Sequence, residues 1–494
     1  MPLVIYDTLR REKVDFDPRE PGKAAIYVCG PTVYGAAHVG HARMAVVFDV
    51  LVRYLRHRGA DVTVVMNITD MDDKIISRAN EEGVSAFEIA DRYTRAWNGD
   101  MDALGVLPPD MQPHATAHIL EMQELIADLI EKGNAYESEG NVLFRVRTFD
   151  GYGKLSGRRL EDAAQPADVP AVAKEDPIDF ALWKAAKPGE PSWPSPWGPG
   201  RPGWHIECSA MAAKHLGHGF DLHGGGLDLI FPHHENEIAQ HEAAHGPEFA
   251  RFWMHNGMVE LAETKMSKSI GNVVSIQEAL ARWGRGPMRL WYASASYRSP
   301  LQFSEALLDE HVAAFDRLVT FVRNGRRFDA DPDADVVAQQ TAAFEETLDD
   351  DLNLAGALAV LYDAVADGNE ALPDAERRDE DAAARVAALA EVVASLGDGV
   401  LGLGISDELA PAERLADRVA PLVEDLLSRR AAAREERDFA TADALRDALS
   451  AAGIVVEDRP DGARWYAAVH RGRDGDQQEQ PRSDGATGLP TAEA

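Results

Sequence analysis

The chain has 494 residues, of which 45% are hydrophobic, so it is long enough to build about three domains with their own cores. It carries 83 acidic and 50 basic residues, and the formal charge of −33 argues against a nucleic-acid partner, because phosphate binding normally needs a basic surface. Two cysteines exclude a disulfide framework, and the lack of a secretion signal or of an apolar run of about 18 residues predicts a cytoplasmic protein with no membrane contact.

The first predicted elements are a strand, a helix and a second strand. Apolar, β-branched runs at residues 23–28 and 61–68 flank a segment, 40–59, in which apolar residues recur at helical spacing. Such a unit implies a parallel strand pair with a right-handed crossover, and hence an α/β fold. Ligands of these sheets bind beyond the carboxyl ends of the strands, which is where Cys29 and Gly30 lie.

The sequence of the middle of the chain predicts an insertion followed by further helices. Residues 77–135 show helical periodicity, a hairpin follows, and the stretch 164–203 is rich in proline and glycine. Helical periodicity resumes near residue 208 and returns after a loop at 262–272. An Ala-, Leu- and Glu-rich stretch at about 338–398 predicts a small helical bundle.

The end of the chain predicts one more small domain. A helix beginning near Asp438 is followed by two short strands joined by a turn at Asp461 and Gly462. The tail from about residue 471 has little apolar content and is predicted to be disordered.

The charge is unevenly distributed along the chain. Residues 265–330 carry ten lysines and arginines against six acidic residues, whereas residues 329–382 are strongly acidic. The net charge therefore decides little about a partner that contacts only one face.

Residues 205–245 contain eight of the sixteen histidines and the second cysteine. Two thiolates, an imidazole and a carboxylate would complete a tetrahedral zinc site. The candidate ligands are Cys29, Cys208, His233, His234, Glu235 and Glu237. The spacing leaves a second interpretation open, in which two buried thiols lie near a helix start that happens to carry histidines.

Two short segments suit a polyphosphate. The segment HVGH places His38 and His41 on one side of a helix start, where unpaired backbone N–H groups attract anions. The segment KMSKS places Lys265 and Lys268 in a loop that could close over phosphates. Each has a simpler explanation, a helix cap or a solvated loop, but their occurrence in one α/β domain favours nucleotide triphosphate chemistry.

A glycine-rich segment, HGGGLDL at residues 223–229, permits close backbone approach to a ligand, with Asp228 as an acceptor for a ribose or an amine. The sequence has no Walker A segment, no GxSxG elbow and no GxGxxG segment that opens a helix directly after a predicted strand. These absences disfavour a P-loop NTPase, a dehydrogenase and a hydrolase.

From about residue 3 to 468 the chain resembles the cysteinyl-tRNA synthetases, a family of class I aminoacyl-tRNA synthetases. HVGH is similar to the HIGH signature of the family and KMSKS is identical to its second signature. CGPTVYGAAHVGHAR, NITDMDDKI, DFALWK, GRPGWHIECSAM and HGGGLDLIFPHHENEIAQ also fit closely. The resemblance implies activation of L-cysteine by ATP with Mg²⁺, and transfer to the 3′-terminal adenosine of tRNA(Cys), without a protein nucleophile.

The resemblance also implies site residues, which we state as expectations. One Zn²⁺ per chain would be held by Cys29, Cys208, His233 and Glu237, with His234 and Glu235 beside them. Gly30, Thr32, Thr69 and Trp204 would line the cysteine pocket. Catalysis would rest on His38, His41, Lys265 and Lys268, and ATP would be bound by His38, His41, Gly224, Gly225, Asp228 and Lys268. Arg434, Phe439 and Asp458 would contact the anticodon, although many family members have Trp where Phe439 stands.

Zinc gives the expected site a means of selecting its amino acid. The thiol of cysteine can deprotonate on zinc and coordinate it, whereas the hydroxyl of serine is a hard ligand with a much higher pKa. A pocket that relied on shape would separate such similar substrates by only about a hundredfold and would require editing. The predicted insertion is too small for an editing domain.

The expected organisation combines these elements. It comprises a Rossmann-like parallel-sheet catalytic domain at residues 1–119 and 204–270, a connective insertion at 120–203, a region at 271–330 that follows KMSKS and contacts the tRNA stem, a helical bundle at 331–409, a small α/β anticodon-binding domain at 410–469 and a disordered tail at 470–494. We expect a monomer.

Two alternatives come from different functional classes. The related ligase of mycothiol biosynthesis also forms a cysteinyl-adenylate but transfers cysteine to the amine of a glucosaminyl-inositol. The ERGGDP stretch that marks those ligases is absent, and residues 410–468 resemble the anticodon-binding end of the synthetases. A scaffold that binds tRNA or zinc without catalysis is disfavoured by the intact HVGH and KMSKS segments.

Overall fold

The computed structural model describes residues 2–162, 169–261, 264–265, 274–459 and 462–467. It divides into two compact units, one ending at Asp407 and one beginning at Glu408. The strands are β1 (Val4–Asp7), β2 (Glu12–Asp15), β3 (Lys23–Val28), β4 (Asp61–Met66), β5 (Ala135–Ser138), β6 (Asn141–Phe144), β7 (Phe180–Ala185), β8 (Gly200–Pro202), β9 (Phe220–Gly226), β10 (Ala250–Asn256), β11 (Val259–Leu261), β12 (Thr264–Lys265), β13 (Leu301–Phe303), β14 (Ile454–Arg459) and β15 (Gly462–Ala467).

Most of the chain between these strands is helical. The α-helices are α1 (Val39–His57), α2 (Asp73–Glu82), α3 (Ala86–Ala103), α4 (Ile119–Glu131), α5 (Trp204–Leu216), α6 (Glu235–His245), α7 (Ile276–Trp283), α8 (Arg285–Ala293), α9 (Glu305–Gly325), α10 (Ala334–Asp349), α11 (Leu354–Glu376), α12 (Glu380–Gly399), α13 (Ile405–Glu435) and α14 (Phe439–Ala451). No helix within the described residues is long and apolar enough to cross a membrane.

The central sheet of the first unit is parallel, in the order β10-β9-β3-β4. The predicted strand–helix–strand unit is confirmed as β3, α1 and β4, with Val28 opposite Met66. On its other side Val28 lies opposite Gly224 of β9. The carboxyl ends of all four strands meet at one edge, so Cys29 and Asn67 emerge side by side there.

The insertion forms a second sheet, antiparallel, in the order β5-β6-β7-β8. Its first hairpin was predicted, and Glu139 and Gly140 turn the chain with φ angles of 52° and 78°. Met122 of α4, Phe144 of β6 and Tyr27 of β3 belong to one apolar core. The insertion therefore shares a core with the parallel sheet, a packing that the proline and glycine content of the sequence did not indicate.

Helices α9 to α12 form a bundle in the first unit; α10, α11 and α12 fall within the predicted bundle at 331–409, and α9 is a helix of the preceding region that packs with them. Gly368 on α11 lies against the Phe321 ring of α9, where an added Cβ would come within 2.2 Å of the ring. Helices α10, α11 and α12 bury Phe344, Leu361 and Leu389 between them. The α/β class with an attached helical bundle is thereby confirmed.

The second unit is small. Val423 of α13, Leu449 of α14, and Ile454 and Ala467 of the β14–β15 hairpin form its core. The α-helix and hairpin predicted for the end of the chain are confirmed, while residues 460–461 at the turn and the predicted tail at 470–494 lie outside the described residues.

Candidate active site and metal centre

Two cysteines that lie 179 residues apart in the chain meet at the carboxyl edge of the parallel sheet. The backbone N–H of Cys29 donates to the Gly224 carbonyl at 3.1 Å, which continues the pairing of β3 with β9. Cys208 lies in the middle of α5, and its Sγ is 3.7 Å from the Sγ of Cys29. Both residues are buried free thiols.

The start of α6 adds an imidazole and a carboxylate. His233 and Glu237 are one helical turn apart, and their side chains both face the thiols. His233 Nε2 lies 2.9 Å from Glu237 Oε1, and Cys29 Sγ lies 3.5 Å from the same oxygen. The ligand atoms of Cys29, Cys208, His233 and Glu237 all lie within 4.8 Å of one another. These four buried residues can hold a metal ion.

A second set of donors occupies the same space. His223 Nε2 is 2.6 Å from Glu237 Oε2, and His234 Nε2 is 3.3 Å from Cys29 Sγ. Together with Cys29 and Glu237 these imidazoles form another group whose ligand atoms lie within 4.8 Å of one another. His234 is therefore a neighbour of the cluster, as expected, and His223 is one that the sequence did not distinguish from the other histidines.

Glu235 is directed away from the cluster. Its carboxylate accepts hydrogen bonds from the backbone N–H groups of Gly153 at 2.9 Å and Ser156 at 2.8 Å. Residues two positions apart on a helix point to nearly opposite sides, because each residue turns the helix by about 100°. Glu235 therefore holds the loop at residues 153–156, and its expected place beside a metal is wrong.

The buried charges of the cluster compensate one another. Burial opposes ionisation of Cys208, but a hydrogen bond from Cys29 and the nearby His233 lower its pKa to about 6. Burial also opposes the cationic form of His233, yet Glu237 and Cys208 raise its pKa to about 10. Although burial would raise the pKa of Glu237, His223 and His233 hold it well below its ordinary value. Burial raises the pKa of Cys29. The negative charges favoured at Cys208 and Glu237 are therefore balanced by the positive charge favoured at His233.

The residues expected to line the cysteine pocket surround this cluster. Trp204, 37% exposed, stacks on His233 with ring centroids 4.2 Å apart. Thr32 and Thr69 form an isolated backbone bridge between the loops that follow β3 and β4. The backbone N–H of Gly30 donates to Asn67 Oδ1 at 2.9 Å, and an added Cβ on Gly30 would lie 1.6 Å from the Asn67 carbonyl oxygen.

Sequence reasoning missed two residues that organise this pocket. Asn67 follows β4 and contacts three of the expected site residues, with its amide 3.3 Å from Thr69 Oγ1 and its Oδ1 3.7 Å from Cys208 Sγ. Glu207 is fully buried and accepts a hydrogen bond from Thr69 Oγ1 at 2.8 Å. Asn67 could have been identified from its position directly after a parallel strand, where ligands of such sheets bind. No feature of the sequence distinguished Glu207 as a site residue.

The HVGH histidines cap α1. His38 is the N-cap and its Nδ1 accepts from the Gly40 N–H at 3.1 Å, while His41 Nδ1 accepts from the His38 N–H at 3.2 Å. Their rings stack with centroids 3.7 Å apart. Because both Nδ1 atoms accept, the neutral rings carry their protons on Nε2, so the capping role is compatible with donation to an anion.

The KMSKS segment is described only at its edges. The backbone of Lys265 pairs with Glu260 between β12 and β11. Residues 266–273, including Lys268, lie outside the described residues. Where the chain resumes, the Val274 carbonyl accepts from the Val39 N–H at 3.2 Å, and Ser275 bridges to His38. The chain from Val274 onward, five residues after KMSKS, is therefore paired with the HVGH helix start.

The glycine-rich segment is a strand. Gly224 and Gly225 lie inside β9, and an added Cβ on Gly224 would come within 2.3 Å of the Phe48 ring of α1. An added Cβ on Gly225 would lie 2.9 Å from the Leu229 side chain. Contacts within the protein are therefore enough to explain why glycine is needed at these two positions, without a bound ligand. Asp228, in the turn after the strand, is exposed and accessible to a ligand.

We expect Gly224→Ala to destabilise the first unit by about 1–3 kcal/mol, because the new methyl group overlaps the buried Phe48 ring. Denaturant unfolding of the variant measures this loss. The double variant Gly224→Ala/Phe48→Leu should recover part of it, since leucine lacks the ring atoms that clash. An unchanged stability combined with a raised KM for ATP would instead assign Gly224 to nucleotide binding.

The expected anticodon residues lie in the second unit. Phe439 begins α14 and is 61% exposed. Asp458 of β14 is held by both guanidinium nitrogens of Arg430, at 2.5 and 2.7 Å, and Arg434 lies 3.1 Å from the same carboxylate. Asp458 therefore has a structural role in addition to any contact with RNA.

Asp458→Asn should loosen the β14–β15 hairpin. A hydrogen bond from Arg430 lowers the pKa of Asp458 to about 2, so the stabilisation is present above its ordinary pKa of 3.8 and is lost as the pH falls towards 2. Because the Asp458 side chain is 40% exposed and solvent weakens the pair, at neutral pH we expect a loss of about 1 kcal/mol, or roughly fivefold faster amide exchange in the hairpin. Asp425→Asn, which breaks the exposed pair with Arg429, should change exchange by less than about twofold. Equal effects of the two variants would contradict this interpretation.

Three family descriptions match successive parts of the chain. The catalytic domain of class I (C) tRNA synthetases matches residues 15–313. A DALR domain matches residues 343–406, which include most of the helical bundle. The cysteinyl-tRNA ligase anticodon binding domain matches residues 416–465.

Full-length relatives agree with these matches. Cysteine–tRNA ligases from Thioalkalivibrio sulfidiphilus and Methylobacillus flagellatus are 48% and 49% identical to the chain over 467 and 470 residues. The cysteine–tRNA ligase from Streptomyces avermitilis is 47% identical over 478 residues. Each comparison covers 94% of this chain and 99% of the relative.

Solved structures support the fold alone. Mycobacterium tuberculosis methionyl-tRNA synthetase in complex with methionyl-adenylate has a TM-score of 0.59 at 16% identity, over 78% of this chain and 92% of that one. A leucyl-tRNA synthetase from Agrobacterium radiobacter, in a ternary complex, has a TM-score of 0.59 at 12% identity, over 80% and 86%. From the catalytic-domain match and the identity to full-length relatives, the chain belongs to the cysteinyl-tRNA synthetases of class I.

Proposed function

We propose that this enzyme activates L-cysteine with ATP and transfers it to tRNA(Cys). The cysteine carboxylate attacks the α-phosphate of ATP, which forms cysteinyl-adenylate and releases pyrophosphate. A ribose hydroxyl of the 3′-terminal adenosine of the tRNA then attacks the carbonyl carbon of the adenylate, forms the ester and releases AMP. The observation that carries the proposal is the buried cluster of Cys29, Cys208, His233 and Glu237 at the carboxyl edge of the parallel sheet, in a chain 47–49% identical to cysteine–tRNA ligases.

Zinc fits the donor set of this cluster. A tetrahedron with Zn–S bonds of about 2.3 Å places two sulfurs about 3.8 Å apart. The Sγ atoms of Cys29 and Cys208 are 3.7 Å apart. When bound, zinc supplies a soft Lewis acid that favours the thiolate of cysteine over the hydroxyl of serine. We therefore infer that this cluster binds one Zn²⁺, with Mg²⁺ accompanying ATP.

The protein's own residues position the two substrates around that site. Trp204 covers one side of His233, and Thr69, fixed by its hydrogen bond to Glu207, stands beside the cluster. The Nε2–H groups of His38 and His41 are suited to donate to the phosphates of ATP, as are the cations of Lys265 and Lys268. Gly224, Gly225 and Asp228 are proposed for the adenosine end, and Gly30 and Thr32 for the cysteine end.

The second unit is proposed to bind the anticodon. The exposed Phe439 ring offers a stacking surface for a base. Arg434 and Asp458, which lie 3.1 Å apart, are proposed to contact the same RNA. The match of this unit to a cysteinyl-tRNA ligase anticodon binding domain favours tRNA over an amino sugar as acceptor. We also propose a cytoplasmic monomer, for which light scattering should give a mass near 53.8 kDa.

Two reactions test the function. Each contains the enzyme, labelled cysteine, ATP and Mg²⁺; one also contains deacylated tRNA and the other glucosaminyl-inositol. We expect label only in the tRNA. Transfer to the amino sugar alone would identify a mycothiol-type ligase, and formation of no product with either acceptor would support the non-catalytic alternative.

A further inference from the structure

Three histidines converge at the far end of α6, away from the metal centre. His241 and His245 are four residues apart on α6, and His218 lies in the turn between α5 and β9. Their ring centroids are 4.6, 4.8 and 5.0 Å apart, and one ligand nitrogen from each ring lies within 4.8 Å of the others. His245 is eight residues beyond Glu237, or about 12 Å along the helix axis, so this group is distinct from the cysteine cluster.

The geometry of the three rings suits a metal ion. Imidazoles at positions i and i+4 of a helix face the same side, which is how helical histidine pairs bind zinc. His218 Nδ1 and His241 Nε2 are 3.2 Å apart. Two nitrogens of a tetrahedral site with bonds of about 2.0–2.1 Å are about 3.3–3.4 Å apart. A metal ion therefore needs only a small opening of this pair.

The surroundings supply neutral ligands and an entry path. His241 is buried, and burial together with His245 and His218 lowers its pKa to about 3, so its lone pair is available at neutral pH. His218 is exposed and gives access to solvent, which leaves a fourth position for water. Burial and His218 lower the pKa of His245, an effect that Asp128 of α4 opposes and Lys132 reinforces.

We propose that His218, His241 and His245 form a second binding site for a divalent transition-metal ion of the zinc, nickel or cobalt type. Neutral imidazoles are the ligands that these ions share. An ion bound there ties the turn at residues 217–219, which leads into β9, to the last turn of α6, the helix that carries Glu237. The site stabilises the fold and does not depend on the proposed reaction.

Metal titration of untagged protein tests the proposal, with Zn²⁺ followed by equilibrium dialysis and Co²⁺ followed by absorption. The cysteine cluster should give a thiolate-to-cobalt charge-transfer band with the first equivalent, whereas the histidine site should give only ligand-field bands with the second. His218→Gln and His245→Gln should weaken the second equivalent at least about tenfold and leave the first unchanged. His215→Gln, which alters a nearby histidine that pairs with His118, is the matched control.

His218 is exposed, so its variant is expected to fold. ATP–pyrophosphate exchange by His218→Gln should match that of the unaltered enzyme, which confirms that the protein is intact. Binding of a single equivalent by the unaltered protein would overturn the proposal. So would a second equivalent that survives in both His218→Gln and His245→Gln, or one that is lost equally in His215→Gln.

Discussion

Replacement of Cys208 by serine should lower cysteinyl-adenylate formation by at least about a hundredfold. Changing a residue that only supports a metal ligand typically lowers metal affinity or activity about 10–100-fold, and the loss of a ligand should be larger. Cys208 is the thiol of the cluster whose pKa is lowered to about 6. A serine hydroxyl remains protonated there, and Glu237 and His233 lose the thiolate with which they share the cluster. ATP–pyrophosphate exchange and metal analysis of the same preparation measure the two effects.

The matched control for this variant is His215→Gln, which alters the same helix seven residues on, where the side chain contacts His118. It should retain one equivalent of zinc at the cysteine cluster and full exchange activity. A Cys208→Ser protein with normal zinc content and normal exchange would contradict the assignment of the cluster. Metal removal makes a related prediction: a zinc-free preparation that still preferred cysteine over serine would exclude metal-based selection.

Lys268→Ala should lower the kcat of pyrophosphate exchange by about 10²–10³-fold, with little change in the KM for cysteine. Removing one donor that stabilises charge in a transition state typically has an effect of this size. KMSKS is identical to the second signature of the family, and the chain that follows it returns at Val274 and Ser275 to pair with the start of α1.

Two comparisons sharpen the Lys268 experiment. Lys214→Ala removes an exposed lysine that pairs with Glu121 on the surface and should leave exchange unchanged. His41→Ala should lower kcat in the same direction as Lys268→Ala, since both side chains are proposed to act on the phosphates. Unchanged exchange in Lys268→Ala would remove the phosphate role assigned to that lysine.

Local signals in the sequence predicted most of the fold. Helical and strand periodicity identified β3, α1 and β4, and the helices of the bundle, because amphipathic patterns report directly which side of each element is buried. The hairpins β5–β6 and β14–β15 followed from apolar runs separated by turn residues. The core that α4, β6 and β3 share was not predicted. A high proline and glycine content indicates where the chain turns, but it does not indicate which elements pack against one another.

The sequence by itself determined which chemical groups are available, because the donor types near Cys29 and Cys208 and the HVGH and KMSKS segments are local facts. Only the tertiary structure decided which donors meet. It turned Glu235 towards the loop at residues 153–156 and Glu237 towards the thiols, and it placed His223 in the same cluster. It also showed that Phe48 occupies the space beside Gly224. These outcomes depend on helix rotation and on contacts between residues about 180 positions apart, which no local pattern specifies.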